Sequence, residues 1–399
     1  MEFAMKVKLF SLLAGALLVS PAFAGNLGLP DVPVPMDNPQ TMEKIALGDK
    51  LFNDTRFSST GEVSCASCHD PLKGGTDSPL KTSEGINGLT GTRNAPPVMN
   101  AAFNKTQFWD GRSPSLEDQA RHPFINPVEM GLPSHEPIIE IVNSDADYLA
   151  AFEAVFGVGK GEIMIDHVTQ AIAAFERTQV GGESAWDRWY FGEEEDALGE
   201  AAKRGFQVFL AEGRCVSCHA IEQDFAVFTD HLFHNIGIGI NDIQPQVPAL
   251  VQSFLAAKAE GADVDVTVLS NPDVSHLGRF AVDEQLSSLG AFKTPTLRNI
   301  ALTAPYMHDG SLATLRDVVV HYNNGGVIDE GDPINPFLSG GIRPLNLTED
   351  QIDDLVAFME ALTSADLETQ QAMMTGEGGK KRVASSTGSS DVSREESDT

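Results

Sequence analysis

The four cysteines of this 399-residue chain fall as two copies of one spacing, Cys65-Ala-Ser-Cys68-His69 and Cys215-Val-Ser-Cys218-His219. C-x-x-C-H is the attachment signal for a c-type haem: the two thiols form thioethers with the vinyl groups, and the next residue places an imidazole under the ring. The competing readings are a zinc site and a redox dithiol. Zinc-binding C-x-x-C pairs usually lie about 15 to 20 residues apart, whereas Cys68 and Cys215 are far separated. No cysteine is left for a disulfide framework. The motifs therefore imply two covalent haems, with His69 and His219 as proximal iron ligands.

Each motif follows a helix-like segment, residues 42–52 (MEKIALGDKLF) and 200–210 (EAAKRGFQVFL), and the two segments resemble an internal repeat. In both, a glycine (Gly48, Gly205) stands four residues before a phenylalanine (Phe52, Phe209), where a missing side chain permits close packing. Ile165, Val168, Ile172 and Phe175 mark an amphipathic helix, and Thr348 with Gln351 forms a capping box before Ile352, Leu355, Val356 and Met359. Gly/Pro-containing connections at 70–97 and 236–248 leave room only for short β pieces. The expected fold is mainly α, in two cytochrome-like halves, residues 25–190 and 191–365, with one haem each and long irregular connections. Trp186 and Trp189, near the boundary, are expected to close the first half's core.

The N-terminus carries Lys6 and Lys8, an apolar run from Leu9 to Val19 and small residues at Ala22 and Ala24, the pattern of a secretory signal peptide at 1–24. That run is too short to span a bilayer comfortably; the expectation is an exported, periplasmic protein without a membrane anchor. Residues 366–399 are expected to form a disordered tail, since the stretch from Thr375 offers too little apolar surface for a core. The formal charge of -30 argues against nucleic acid, which demands clustered Lys and Arg. It suits a basic protein partner, or serves solubility alone.

Five further strings are distinctive: RNAP (93–96), QFWDGR (107–112), NPVEM (126–130), TPTLRN (294–299) and APYMHDGS (304–311). With the two haem motifs they resemble the bacterial dihaem cytochrome c peroxidase family, including its MauG branch, over residues 38–363. The resemblance implies two cytochrome c-like domains and hydrogen peroxide as the oxidant, with the first haem, on Cys65, Cys68 and His69, as the peroxide site. Many family peroxidases cover that haem with a histidine in the loop before RNAP. Between Asp70 and Thr92 there is neither His nor Met, and Ile86 stands at the matching position, so this haem is expected to be open. Glu129 matches the family's distal glutamate, suited to moving a proton between the peroxide oxygens, and Gln119 the distal glutamine. Trp109 matches the tryptophan between the haems. Read without the family, Glu129 is a surface acid, Gln119 a helix residue and Trp109 a core ring.

For the second haem, family peroxidases take a methionine fourteen residues after the histidine of PYxH; counted from His308, that position is Tyr322, as in the MauG branch. His321 and Met307 are the competing ligands. The family's calcium ligands fall on Asn94, Thr303 and Pro305, an oxygen set suited to a hard cation. Three functions follow: a peroxidase refilled by a small redox protein such as a basic cytochrome c or a cupredoxin, a MauG-like enzyme oxidising residues of a partner protein, and a dihaem electron carrier. MauG carries a surface tryptophan two residues before its second haem motif, and Gly213 stands there instead, which speaks against the same protein substrate; Trp186 and Trp189 offer another electron exit. Family peroxidases are often homodimers.

Overall fold

The computed structural model describes residues 26–326 and 335–374. The signal peptide assigned to 1–24 and the tail from 375 lie outside the described residues. A helix occupies Ala365–Met374, so helical structure continues past residue 365, where the tail was expected to begin. The described chain is mainly helical, and its one sheet pairs two three-residue strands, Phe233–Asn235 antiparallel to Ala291–Lys293. Among the described residues no helix is long and apolar enough to cross a membrane.

The two expected repeat helices form, and each crosses a second helix at its glycine. Met42–Phe52, capped by the Thr41 side chain on the Lys44 amide, packs on Ile165–Glu176. Glu200–Leu210 packs on Glu349–Glu360, which opens with the Thr348/Gln351 capping box. A Cβ on Gly48 would sit 1.9 Å from the Ala171 carbonyl oxygen, and one on Gly205 1.9 Å from that of Asp354. At both crossings a phenylalanine pair follows, Phe52–Phe175 at 5.2 Å and Phe209–Phe358 at 5.1 Å. Each pair of helices anchors an apolar cluster: one around Leu51, Phe124, Ile138 and Tyr148, the other around Phe206, Phe228 and Phe358.

One expectation changes. Trp186 packs in the second cluster, 5.0 Å from Phe228 and 5.6 Å from Phe206, and its amide donates to the Ala361 carbonyl; Trp189 lies against Phe206 as well. The apolar face of Ala185–Tyr190 finds its aromatic partners after the expected boundary, not before it. The region after the 236–248 connection is helical, with Val247–Ala259 and Val264–Ser270 building a third cluster around Phe254, Leu269 and Phe280.

Buried ion pairs tie the pieces together. Arg298 of TPTLRN binds Asp187 through both guanidinium nitrogens (2.7 and 2.8 Å), and donates also to the Gly28 and Ala226 carbonyls. Arg93 of RNAP donates to Asp110 of QFWDGR at 2.6 Å; Arg112 bonds Asp110 and Asp265, so the third cluster is held to the first motif loop. Charges buried this deeply persist only when paired, which gives these motif residues a structural reason to be Arg and Asp.

Candidate functional site

The first C-x-x-C-H forms a helical turn, Cys65–Cys68, that ends on His69. His69 Nδ1–H donates to the Gly75 carbonyl at 2.9 Å, which fixes the tautomer and leaves Nε2 for a metal. The second motif repeats the arrangement: Cys215–Ser217 forms a turn, and His219 Nδ1–H donates to the Phe228 carbonyl at 2.9 Å. Burial lowers the pKa of both rings and keeps them neutral, the state that ligates iron. Cys65 packs on one apolar cluster and Cys215 on the other, so the two pairs do not assemble one four-cysteine metal site.

Around the first motif lies a cavity lined by Cys65, Cys68, His69, Trp109, Gln119, Pro123, Glu129 and Glu176. The structure thus brings Glu129, Gln119 and Trp109 together over one haem motif. Glu129 Oε2 is buried without a hydrogen-bond partner, and burial pushes its carboxyl up to about 7, with Asp265 adding to the rise and Arg112 opposing it. Trp109 is held at both ends: its Nε1–H donates to the Asn94 carbonyl at 2.9 Å, and its own carbonyl accepts from the Lys293 amide at 2.8 Å. Ile86 is buried, its amide donating to the Glu129 carbonyl at 2.9 Å, and it supplies no ligand atom. A cavity with unpartnered carboxyls, a metal-ready imidazole and two thiols suits a covalently attached haem.

Sequence reasoning missed Glu176. It ends the Ile165–Glu176 helix, is buried with Oε2 unpartnered, and burial raises its carboxyl to about 8. The apolar spacing of that helix assigned its face to the core and left the final residue unread.

A second repeat, also unread, relates the two sites. At a constant offset of 199 residues, Asn100 matches Asn299 and Trp109 matches His308. The backbones agree: Asn100 and Asn299 are both left-handed (φ 65° and 60°), as are Phe108 and Met307 (65° and 74°) and Gly111 and Gly310 (67° and 63°). The bridge Gln107–Ser113 recurs as Tyr306–Leu312, and Ser115 and Thr314 each cap the helix that follows. Continued to the helix end, the register matches His122 with His321 and Pro123 with Tyr322.

Tyr322 lies on the helix Leu315–Asn323, and its phenol pKa is raised by burial and then by the Cys215 and Cys218 thiols, which places it at the second haem motif. His321 is buried with Nε2–H donating to the Ile236 carbonyl at 2.8 Å, and Met307 is a half-buried, left-handed turn residue against the second cluster. Asn94 Nδ2 donates to the Leu80 and Lys81 carbonyls (3.3 and 3.1 Å), and its amide to the His308 carbonyl at 2.8 Å.

The family model of di-haem cytochrome c peroxidase matches residues 42–195. The chain is 39% identical over 331 residues to the methylamine utilization protein MauG of Methylorubrum extorquens, covering 83% of this chain and 81% of that protein. It is 34% identical over 359 residues to the cytochrome c551 peroxidase of Nitrosomonas europaea, covering 90% of each. Among solved structures it is similar to a MauG-like protein associated with microbial copper homeostasis, with TM-score 0.70 and 30% identity, over 86% of this chain and 96% of that one.

Proposed function

Because the chain belongs to the di-haem cytochrome c peroxidase and MauG family, we propose that it reduces hydrogen peroxide to water at the Cys65/Cys68/His69 site and draws electrons from a redox protein through the Cys215/Cys218/His219 site. The balance is H2O2 with two protons and two electrons giving two waters. The observation that carries this reading is the inequality of the two matched helix positions. A proline ring at 123 has no atom to give to iron, whereas a phenol at 322 does, so one site is left open and the other closed.

When bound, the two c-type haems supply the redox-active iron that splits the O–O bond and stores the oxidising equivalents. Glu129, as a carboxylate, would accept a proton from one peroxide oxygen and return it to the other, which departs as water. Gln119 orients the bound peroxide by hydrogen bonding. Trp109 supports electron passage: its carbonyl accepts from Lys293, two residues before Pro295, whose carbonyl lies against His219. Tyr322 would hold the second iron as phenolate. Its raised pKa opposes proton loss, so ligation draws on the positive charge of ferric iron.

Asn94, Thr303 and Pro305 would hold a calcium ion that braces the region between the haems. The domains read as two cytochrome c-like units divided just before the Ala185–Tyr190 helix, whose aromatic partners lie in the second, and residues 1–24 direct export to the periplasm. A second reading, oxidation of residues in a partner protein, is favoured by Tyr322 and by the similarity to MauG; Gly213 speaks against the same substrate.

The test is steady-state turnover of the purified dihaem protein with hydrogen peroxide and a reduced basic cytochrome c. Peroxide-dependent oxidation of the cytochrome is expected. Slow or absent oxidation alongside peroxide-dependent modification of a co-purified protein would select the second reading, and neither outcome would sink both.

A further inference from the structure

Lys293 is a buried cation that no anion meets among the described residues. Its side chain, at the end of the strand Ala291–Lys293, lines the first haem cavity, and among the described residues its ammonium makes one long hydrogen bond, 3.3 Å, to the Asn104 amide oxygen. The surroundings are positive as well. Lys105 and Lys293 both lower the pKa of nearby His231, whose Nδ1 is buried without a partner; Asp230, the acid that opposes them, is engaged with His234 at 2.8 Å. Arg93 and Arg112 line the same cavity, but Asp110 and Asp265 take up their charge. Burial alone lowers the Lys293 ammonium to about 8. Desolvating an ammonium without a partner is expensive, so an anionic group entering the cavity beside Trp109 would meet a charge that the described residues leave unpaired.

Resting on the proposed haem site, we infer that Lys293 is the ammonium that pairs with a propionate carboxylate of the haem attached at Cys65 and Cys68. Those carboxylates are the haem's own anionic groups, and the thioethers leave them free. As its amide also holds the Trp109 carbonyl, Lys293 ties the charge balance of the first haem to the proposed electron path. It is a positioning residue and takes no part in bond making.

The test is spectroelectrochemical titration of the first haem in the full-length holoprotein, the Lys293→Met variant and the Lys293→Arg variant, after haem content is measured in each. In Lys293→Met the unpaired propionate favours ferric iron, so the reduction equilibrium against a dye should shift about tenfold toward the oxidised form, roughly 59 mV for one electron. Glu129 and Glu176 titrate in the same cavity, so the potential is compared between variants at one fixed pH, where Lys293→Arg, which keeps the charge, should match the wild type. An unshifted Lys293→Met overturns the inference, and so does Lys293→Arg losing the first haem or shifting as far as Lys293→Met. A wild type without two haems would instead overturn the proposed function.

Discussion

At the scale of single residues, the first cavity separates two kinds of carboxylate. Asp110 is held well below its usual range because Arg112 and Arg93 outweigh the cost of its burial, so it is a fixed structural charge. Glu129 sits in the same neighbourhood, yet its Oε2 has no partner, and burial lifts it to about 7. A group poised near neutrality both takes and returns a proton. Below about pH 7 Glu129 is mostly protonated and cannot accept the peroxide proton, so the rate of reaction with peroxide should rise with pH through that value and level off above it. Glu129→Gln should slow the reaction by roughly 100-fold and abolish the rise; stopped-flow absorbance across pH checks both. An unchanged rate and profile would remove Glu129 from the mechanism. Glu129 was legible in the sequence because it sits inside a distinctive string. Glu176 and Lys293 were not, since nothing in the spacing of a helix end or a short strand says that a charge faces a cavity.

At the scale of elements, the two glycine crossings explain why the halves resemble each other. A methyl group at either glycine would overlap a carbonyl oxygen of the facing helix, and backbone cannot yield as a flexible side chain can. Gly48→Ala and Gly205→Ala should each cost about 1–3 kcal/mol, read as a lower thermal midpoint with the same denaturant slope; an unchanged midpoint would mean the helices sit further apart than described. These crossings were readable from the Gly-to-Phe spacing in 42–52 and 200–210. The second repeat was not, because Trp109 faces His308 and Phe108 faces Met307 in the alignment, and few identities survive between them. What survives is backbone conformation: left-handed Asn100 and Asn299, and a capped helix after each turn. Trp186 was misplaced for a related reason. Its position in the chain lies with the first half, but its partners Phe206, Phe228 and Phe358 all come later, and sequence distance carries no information about such a contact.

At the scale of the whole molecule, the charge of -30 and the proposed inequality of the two haem sites bear on how electrons would arrive and where they would be used. An acidic surface steers a basic donor by long-range attraction, which salt screens over a Debye length of about 10 Å at 0.1 M. Oxidation of a basic cytochrome should therefore slow as ionic strength rises, while the direct reaction with peroxide, an uncharged molecule, should not; equal salt dependence of both would contradict steering. The deeper claim is that Pro123 leaves one haem open while Tyr322 closes the other. Electron paramagnetic resonance of the resting diferric protein, set beside Tyr322→Phe, tests it most directly. The wild type should give one high-spin and one low-spin haem signal, and Tyr322→Phe should convert the low-spin signal alone. Two low-spin signals in the wild type, or a low-spin signal untouched by Tyr322→Phe, would contradict the account.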